Sequence, residues 1–208
     1  MTRAIFDHPI ILLHCGHHLV CEGIFVLTLF SLAVMMKRPM ETKLMTAAQR
    51  SDGLRAAMRA WTSGVTIVTA IYEGEKHGMT VSSFTSISLD PPLIIISLQA
   101  VSRTHELVSR AQAFGVTILS ADQRDLSERF AGQANASGNR LDGLETETFI
   151  TGSPFIKGGL AFLDCRVTQS INAGMNTIFV AEVVAVRGND HENPLVYHDR
   201  QYRTLQDL

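Results

Sequence analysis

Short β-branched segments, each closed by a turn signal, succeed one another along most of the chain and constrain its fold more than any other feature. We predict strands over 65–71, 78–88 (split by Ser82-Ser83), 93–98, 114–119, 160–171, 177–186 and 195–197. Few helical patterns lie between them, so the regular alternation of a doubly wound parallel sheet is missing. The pattern predicts a mainly β protein, built as an antiparallel barrel with a few short helices.

Three helices are predicted between and before these strands. The first is capped at 51–52 and ends at Gly64, with one buried apolar stripe formed by Leu54, Met58 and Trp61. The second is short, covers 105–110 and is capped by Thr104. The third follows a capping-box pattern at 120–123 and places Leu126 and Phe130 on one face. Residues 132–153 are predicted to form a long surface loop.

Composition excludes several function classes. The 208 residues carry a formal net charge of -2, and basic residues are interleaved with acids, so no nucleic-acid partner is expected. Neither a GxGxxG nor a GxxxxGK[ST] sequence is present, which leaves a Rossmann cofactor domain and a P-loop unsupported. No Ser/His/Asp or Cys/His set and no paired carboxylates stand out, so hydrolytic or metal-assisted chemistry is not indicated.

Residues 1–45 differ from the rest of the chain. Their uninterrupted apolar stretch, 24–36, is shorter than the ~20 residues of a membrane span, and its basic pair follows it, so membrane insertion is not expected. A metal site and a poorly ordered tail are both readings of the His and Cys cluster at 14–21; its spacing fits no closed zinc pattern, and we favour the tail. Translation from Met36, Met40 or Met45 is a hypothesis that N-terminal sequencing of the native protein tests.

The three cysteines, Cys15, Cys21 and Cys165, form no CxxC pair. An odd count of this kind argues against a disulfide framework and fits a reducing compartment, so we expect a cytoplasmic protein. Cys165 lies in an apolar run and is expected to be a buried core thiol.

Two stretches have the chemistry to bind a ligand. The segment 77–86 places small hydroxyl residues where a core strand would carry aliphatics, which leaves its backbone open to a flat ligand; a solvent-facing edge strand is the alternative. Ser97 and the segment 102–104 combine hydroxyls, a guanidinium and free helix N–H groups, as phosphate sites do, although simple helix capping explains them equally well.

The sequence resembles the flavin reductase-like, FMN-binding split-barrel family over roughly residues 50–205. The resemblance is carried by MRAWTSGVTIVT (58–69), HGMTVSSFTSISLDPPL (77–93), SADQ (120–123), LSERFA (126–131), DCRV (164–167), TIFVAEV (177–183) and PLVY (194–197). It implies a six-stranded antiparallel split β-barrel over residues 46–208, a homodimer, and hydride transfer from NADH or NADPH to bound FMN or FAD. Many members supply reduced flavin to a partner monooxygenase.

The resemblance also implies which residues contact the cofactor. The flavin ring would be contacted by Thr80, Val81, Ser82 and Ser83. The ribityl and phosphate groups would be held by Ser97, Ser102, Arg103 and Thr104. The other edge of the ring would be lined by Phe114, Gly115 and Val116. Asn176 stands where many members have a histidine linked to nicotinamide binding, and His198 is a second candidate for that contact. No metal and no catalytic side chain are expected, because hydride passes directly between the cofactors.

The leading hypothesis is therefore an NAD(P)H:flavin oxidoreductase. A flavin-binding carrier or sensor with little turnover is a second hypothesis, and an FMN-dependent reductase of another small substrate is a third. The residues alone separate neither FMN from FAD nor NADH from NADPH.

Overall fold

The computed structural model describes residues 44–132, 139–188 and 193–205. The chain divides into two compact units, Met1–Ala47 and Ala48–Leu208. The His and Cys cluster, the alternative starts Met36 and Met40 and all but the last two residues of the predicted tail fall on residues 1–43, outside the described ranges, whereas the third alternative start, Met45, lies just inside them. No helix in those ranges is both long enough and apolar enough to cross a bilayer.

The second unit is mainly β. Its strands are β1 (Ser63–Gly64), β2 (Thr66–Tyr72), β3 (Glu75–Val81), β4 (Phe84–Leu89), β5 (Pro92–Gln99), β6 (Ala113–Ile118), β7 (Thr146–Thr148), β8 (Pro154–Ile156), β9 (Ala161–Ala173), β10 (Asn176–Gly188), β11 (Val196–His198) and β12 (Gln201–Arg203). Its helices are α1 (Ala47–Met58), α2 (Arg103–Ala111) and α3 (Arg124–Phe130), the last preceded by a 3-10 turn at Ala121–Gln123.

Seven strands form one antiparallel sheet in the order β3-β2-β6-β9-β10-β5-β4. Its two edge strands, β3 and β4, are consecutive in the chain and are separated only by Ser82 and Ser83. Such a link spans at most about 11 Å, so the sheet must curl until its edges nearly meet. This is the predicted split barrel, with the expected break at Ser82-Ser83; counted as one interrupted strand, β3 and β4 give the six strands of the prediction.

Two apolar clusters fill the unit. The larger one packs α2 against the inner face of the curled sheet, and its largest members are Ile96, Leu98, Leu107, Phe114 and Phe179. The smaller one joins α3 to the start of β2 and the C-terminal strands, through Ile67, Leu119, Phe130 and Leu195. The predicted apolar face of α3 is confirmed, because Phe130 is fully buried and Leu126 packs against the same cluster.

The first predicted helix was wrong in its start, in its burial and in its end, since α1 stops at Met58 and the predicted last residue, Gly64, lies in β1. α1 begins at Ala47, before the expected cap at 51–52, and none of its residues is buried. Leu54, Met58 and Trp61 are 63%, 53% and 68% exposed. Sequence periodicity identifies an apolar stripe but does not say what covers it, and within the described ranges of this chain nothing does.

Other local predictions met different outcomes. Ser102, not Thr104, caps α2, since the Ser102 hydroxyl accepts the His105 amide at 3.2 Å. The segment 132–153 is not all loop, because β7 pairs with β8, and β12 was not predicted. The capping box at 120–123 is confirmed: the Ser120 amide donates to Gln123 Oε1 at 3.2 Å. The turn between β2 and β3 consists of Glu73 and Gly74, and both residues have positive φ.

Candidate functional site

A cavity of about 430 Å³ lies where β3, the start of α2, the end of α3 and the C-terminal strands come together. Its lining residues are Val65, His77, Met79, Thr80, Ser82, Ser102, Arg103, Thr104, Ser127, Phe130, Ala131, Arg140, Tyr197 and Tyr202. No acidic side chain is among these described lining residues, whereas two arginines and a histidine are. The volume lies within the range of small-molecule sites, ~300–1,000 Å³.

One wall of the cavity is the edge strand β3. β3 pairs only with β2 in the sheet, so the backbone groups along its other side are not used by a strand partner. Thr80 Oγ1 donates to the Ser127 carbonyl at 2.7 Å and thereby fastens this wall to α3. Gly78 lets Phe130 pack against the strand, because a Cβ there would lie 2.9 Å from Phe130 Cε1.

The part of the lining that the C-terminal strands contribute is both aromatic and polar. The Tyr197 and Tyr202 rings meet edge-on with centroids 5.3 Å apart, and the Tyr202 hydroxyl lies 2.8 Å from Ser127 Oγ. The ring contact and the hydrogen bond fix the position of two aromatic rings that a planar ligand could contact.

A cationic end of the cavity is formed by Arg103, Arg140 and His77. The His77 ring Nδ1 lies 2.8 Å from Thr104 Oγ1. Burial lowers the pKa of His77, and the positive charges of Arg140 and Arg103 lower it further, so both guanidinium groups act on this imidazole. The cavity thus combines a positive end with walls of hydroxyls and aromatic rings.

The two arginines differ in their partners. Arg103 pairs with Glu75 through Nε, at 2.6 Å, and through Nη2, and with Glu106 through Nη1. The Arg103 hydrogen bonds lower the pKa of Glu75. Arg140 instead donates through Nη1 to two backbone carbonyls, those of Phe130 at 2.8 Å and Gly78 at 3.3 Å.

The structure brings five of the predicted cofactor contacts together in this cavity: Thr80, Ser82, Ser102, Arg103 and Thr104. Three more predicted residues form a separate hydrogen-bonded group where β4, β5 and β10 adjoin, outside the cavity lining. Ser83 Oγ donates to the Ser97 carbonyl at 2.7 Å, and Asn176 Nδ2 donates to Ser97 Oγ at 3.2 Å. Asn176 therefore does not enter the cavity of its own chain.

The remaining predicted residues lie elsewhere. Val81, Phe114 and Val116 belong to the core, and Gly115 is buried against the ring of Phe155, so the structure does not place 114–116 along the cavity. Their strand, β6, lies inside the sheet between β2 and β9, so it has no free edge whose backbone groups a ligand could contact. His198 lies on β11, where its Nδ1 is 2.9 Å from Thr62 Oγ1, and it does not line the cavity.

Sequence reasoning missed several lining residues, among them Ser127, Phe130, Arg140 and Tyr202. Phe130 was assigned correctly to the inner face of a helix, but an apolar stripe does not reveal that one end of it borders a cavity. Arg140 fell within the predicted loop and Tyr202 within an unrecognised strand. Neither carried a local signal that distinguishes a lining residue from a solvated one.

The site has the chemistry for binding rather than for covalent catalysis. None of the described residues that line the cavity is a cysteine; Cys165, on β9, is fully buried, and burial raises the pKa of its thiol. The hydroxyls of Thr80, Ser102, Thr104 and Ser127 are engaged with backbone groups, with the imidazole or with Tyr202, and no hydroxyl of the described lining residues is arranged with a histidine and a carboxylate as a triad. A flat, polar-edged and negatively charged ligand matches this lining best.

Comparison with known proteins gives consistent matches over the second unit. The model of the "Flavin reductase like domain" family matches residues 58–206. "FMN reductase (NADH) SmoA" of Agrobacterium fabrum is 40% identical over 162 residues, which cover 78% of this chain and 90% of that protein. The reductase component of the 4-nitrophenol 4-monooxygenase/4-nitrocatechol 2-monooxygenase of Rhodococcus opacus is 32% identical, with 79% and 85% coverage. The structure of flavin reductase PheA2 superimposes with a TM-score of 0.70 at 32% identity, covering 78% of this chain and all of that one.

Proposed function

The chain belongs to the flavin reductase-like family, and from that premise we propose that it is an NADH-dependent flavin reductase that binds FMN, or alternatively FAD, in the cavity beside β3. The observation that carries the proposal is the cavity itself. Five residues chosen from the sequence as cofactor contacts, spread over 25 positions of the chain, converge on it.

The residues present fit a flavin. An isoalloxazine ring has two broad faces and a polar edge, and the cavity offers aromatic side chains together with the side of β3 that no strand partner uses. A phosphate needs cationic and hydroxyl groups, and the cavity lining contains Arg140, Ser102 and Thr104. The cavity volume of about 430 Å³ also suits a ligand of this size.

The protein's part is to bind and orient. Bound flavin supplies the redox chemistry by accepting a hydride from the nicotinamide. Met79 and Thr80 of β3, together with Tyr197 and Tyr202 of the C-terminal strands, would hold the ring. No side chain needs to act as an acid or base on the hydride itself, which agrees with a lining that holds no triad.

The identity of the reductant and the fate of the reduced flavin follow from the relatives. The A. fabrum protein is named for NADH and FMN, and the R. opacus protein for its place in a two-component monooxygenase. We therefore propose NADH as the preferred reductant and a partner monooxygenase as the acceptor of reduced flavin.

We also propose that residues 46–208 form the catalytic domain and that it works as a homodimer in the cytoplasm. α1 exposes Leu54 and Met58, the segment after it exposes Trp61, and the β9–β10 hairpin exposes Ile171 and Met175, so a second copy would cover apolar surface that this chain leaves bare. Sedimentation of the wild type and of Trp61→Glu tests the dimer; an unchanged monomer at micromolar concentration contradicts it. The unpaired buried thiol of Cys165 accords with a reducing compartment.

Anaerobic mixing of the protein with FMN and NADH tests the activity through bleaching of the flavin band. Ser82→Phe, which fills the cavity mouth, should abolish bleaching, whereas Ser51→Phe, an equal change on the exposed α1, should leave it intact. Failure of the wild type to bleach FMN with NADH or NADPH would refute the reductase. Tight binding without bleaching would instead favour a carrier or sensor, and bleaching that needs an added organic acceptor would favour a reductase of another substrate.

A further inference from the structure

We propose that Arg140, rather than Arg103, is the residue that selects a phosphorylated ligand in this cavity. The inference rests on the proposed function and adds to it the residue that distinguishes FMN from riboflavin. It starts from the different charge balance of the two guanidinium groups at the cationic end of the cavity.

The charge of Arg103 is already balanced. Its guanidinium contacts both carboxylate oxygens of Glu75 and one of Glu106, so the group and its two partners together carry a net negative charge. A phosphate that approached Arg103 would meet those carboxylates as well. Arg103 therefore has little net attraction left for an anion.

The charge of Arg140 is not balanced in this way. Its hydrogen bonds go to the neutral carbonyls of Phe130 and Gly78, and no carboxylate of the described ranges lies within ion-pair distance of it. Its guanidinium still acts on His77, whose pKa it lowers more than Arg103 does. An unbalanced guanidinium in a partly buried cavity favours the entry of an anion, because the anion offsets its positive charge.

The chain also holds Arg140 in a fixed position. Asn139 Nδ2 donates to the Lys76 carbonyl at 3.1 Å, which attaches the segment before Arg140 to β3. Gly132 leaves room for the guanidinium, since a Cβ at that position would lie 2.9 Å from Arg140 Nη2. A cation held by neutral carbonyls is preorganised for a ligand without being neutralised by its support.

Titration of the full-length protein with FMN and with riboflavin, followed by flavin fluorescence, tests the assignment. Arg140→Gln should weaken FMN binding about 10- to 100-fold, the loss expected for one charged hydrogen bond, and change riboflavin binding by less than about threefold. Arg103→Gln should change the ratio of the two affinities by about threefold or less, because its charge is spent on surface ion pairs. Arg140→Lys, which keeps the charge, should retain most of the preference for FMN.

Equal losses for both flavins in Arg140→Gln would overturn the inference and identify Arg140 as a structural clamp. A larger loss of FMN preference in Arg103→Gln would overturn it as well. Added NaCl provides a test that needs no variant: it should weaken wild-type binding of FMN and leave riboflavin binding nearly unchanged. A wild type that binds neither flavin would refute the proposed function itself, whereas normal binding of both with no effect of Arg140→Gln refutes only this inference.

Discussion

The substitution Gly78→Ala probes the contact on which the β3 wall of the cavity depends. The new methyl group would lie 2.9 Å from Phe130 Cε1 and 3.0 Å from Thr69 Cγ2. Both neighbours are fully buried, so neither can turn away without disturbing its own packing. Overpacking of this kind costs about 1–3 kcal/mol. Replacing a strand glycine returns about 0.5–1 kcal/mol through the lower entropy of the unfolded chain.

The net expectation is a loss of about 1–2 kcal/mol in the free energy of unfolding. For a domain of this size, that loss corresponds to a fall of about 2–8 °C in Tm. Urea denaturation at a fixed protein concentration measures the change as a lower midpoint at constant slope. Gly188→Ala is the matched control, since no atom lies within 4 Å of a Cβ there, and it should stay within about 0.5 kcal/mol of the wild type.

A double variant separates the steric cause from other effects. In Phe130→Leu the ring that the methyl group would strike is absent, so adding Gly78→Ala to it should cost less than adding it to the wild type. A Gly78→Ala protein as stable as the wild type, or two substitutions whose effects simply add, would refute the claim that Phe130 is wedged against β3.

Three further outcomes are expected. The pKa of His77 is lowered in the folded protein, so the unfolded chain binds the proton at higher pH and the free energy of unfolding should decline as pH falls below about 6.5. In urea titrations at several pH values, His77→Gln should flatten that decline, and an unchanged pH dependence would contradict the lowered pKa. Asp164→Ala should cost about 1–3 kcal/mol, because the buried carboxylate accepts the Thr151 amide at 2.8 Å and the Thr151 hydroxyl; Thr151→Val, which removes only the hydroxyl, should cost less by the same denaturation assay. Alkylation mapped by mass spectrometry should modify Cys165 only in denaturant, since burial raises the pKa of its thiol; rapid labelling of the native protein would contradict the burial.

The sequence was sufficient for the strands of the barrel because their signals are local. β-branched runs and turn residues located β2, β5, β6, β9 and β10, and the two serines at 82–83 correctly marked the break between the edge strands. The short strands β1, β7, β8 and β12 were missed because two or three residues carry too little pattern to be identified without their partners.

The site was only partly predictable, and for a different reason. Thr80, Ser82 and the segment 102–104 lie in two stretches with a visible concentration of hydroxyls, so composition indicated them. Arg140 reaches the cavity through bonds to carbonyls 10 and 62 positions away, a relation that no local pattern encodes. Burial of 114–116 likewise depends on the neighbours of β6, which pairing order determines and propensity does not.

The sequence did not reveal the ion pairs that balance the charge of Arg103 either. Glu75 lies 28 positions before Arg103, and only the approach of α2 to β3 makes them partners. A guanidinium beside two hydroxyls at a helix start is typical of a phosphate site, but in the structure the Arg103 guanidinium already pairs with the carboxylates of Glu75 and Glu106.

Hydrogen exchange of the full-length protein with and without FMN tests the position of the flavin site most directly, because it reports on the backbone that the ligand covers. FMN should slow exchange in peptides that contain 77–83 and 102–104, and leave those of β7 and β8 unchanged. Saturating FMN that slows exchange in neither segment, or only in segments remote from β3, would contradict the central claim that this cavity is where the flavin binds.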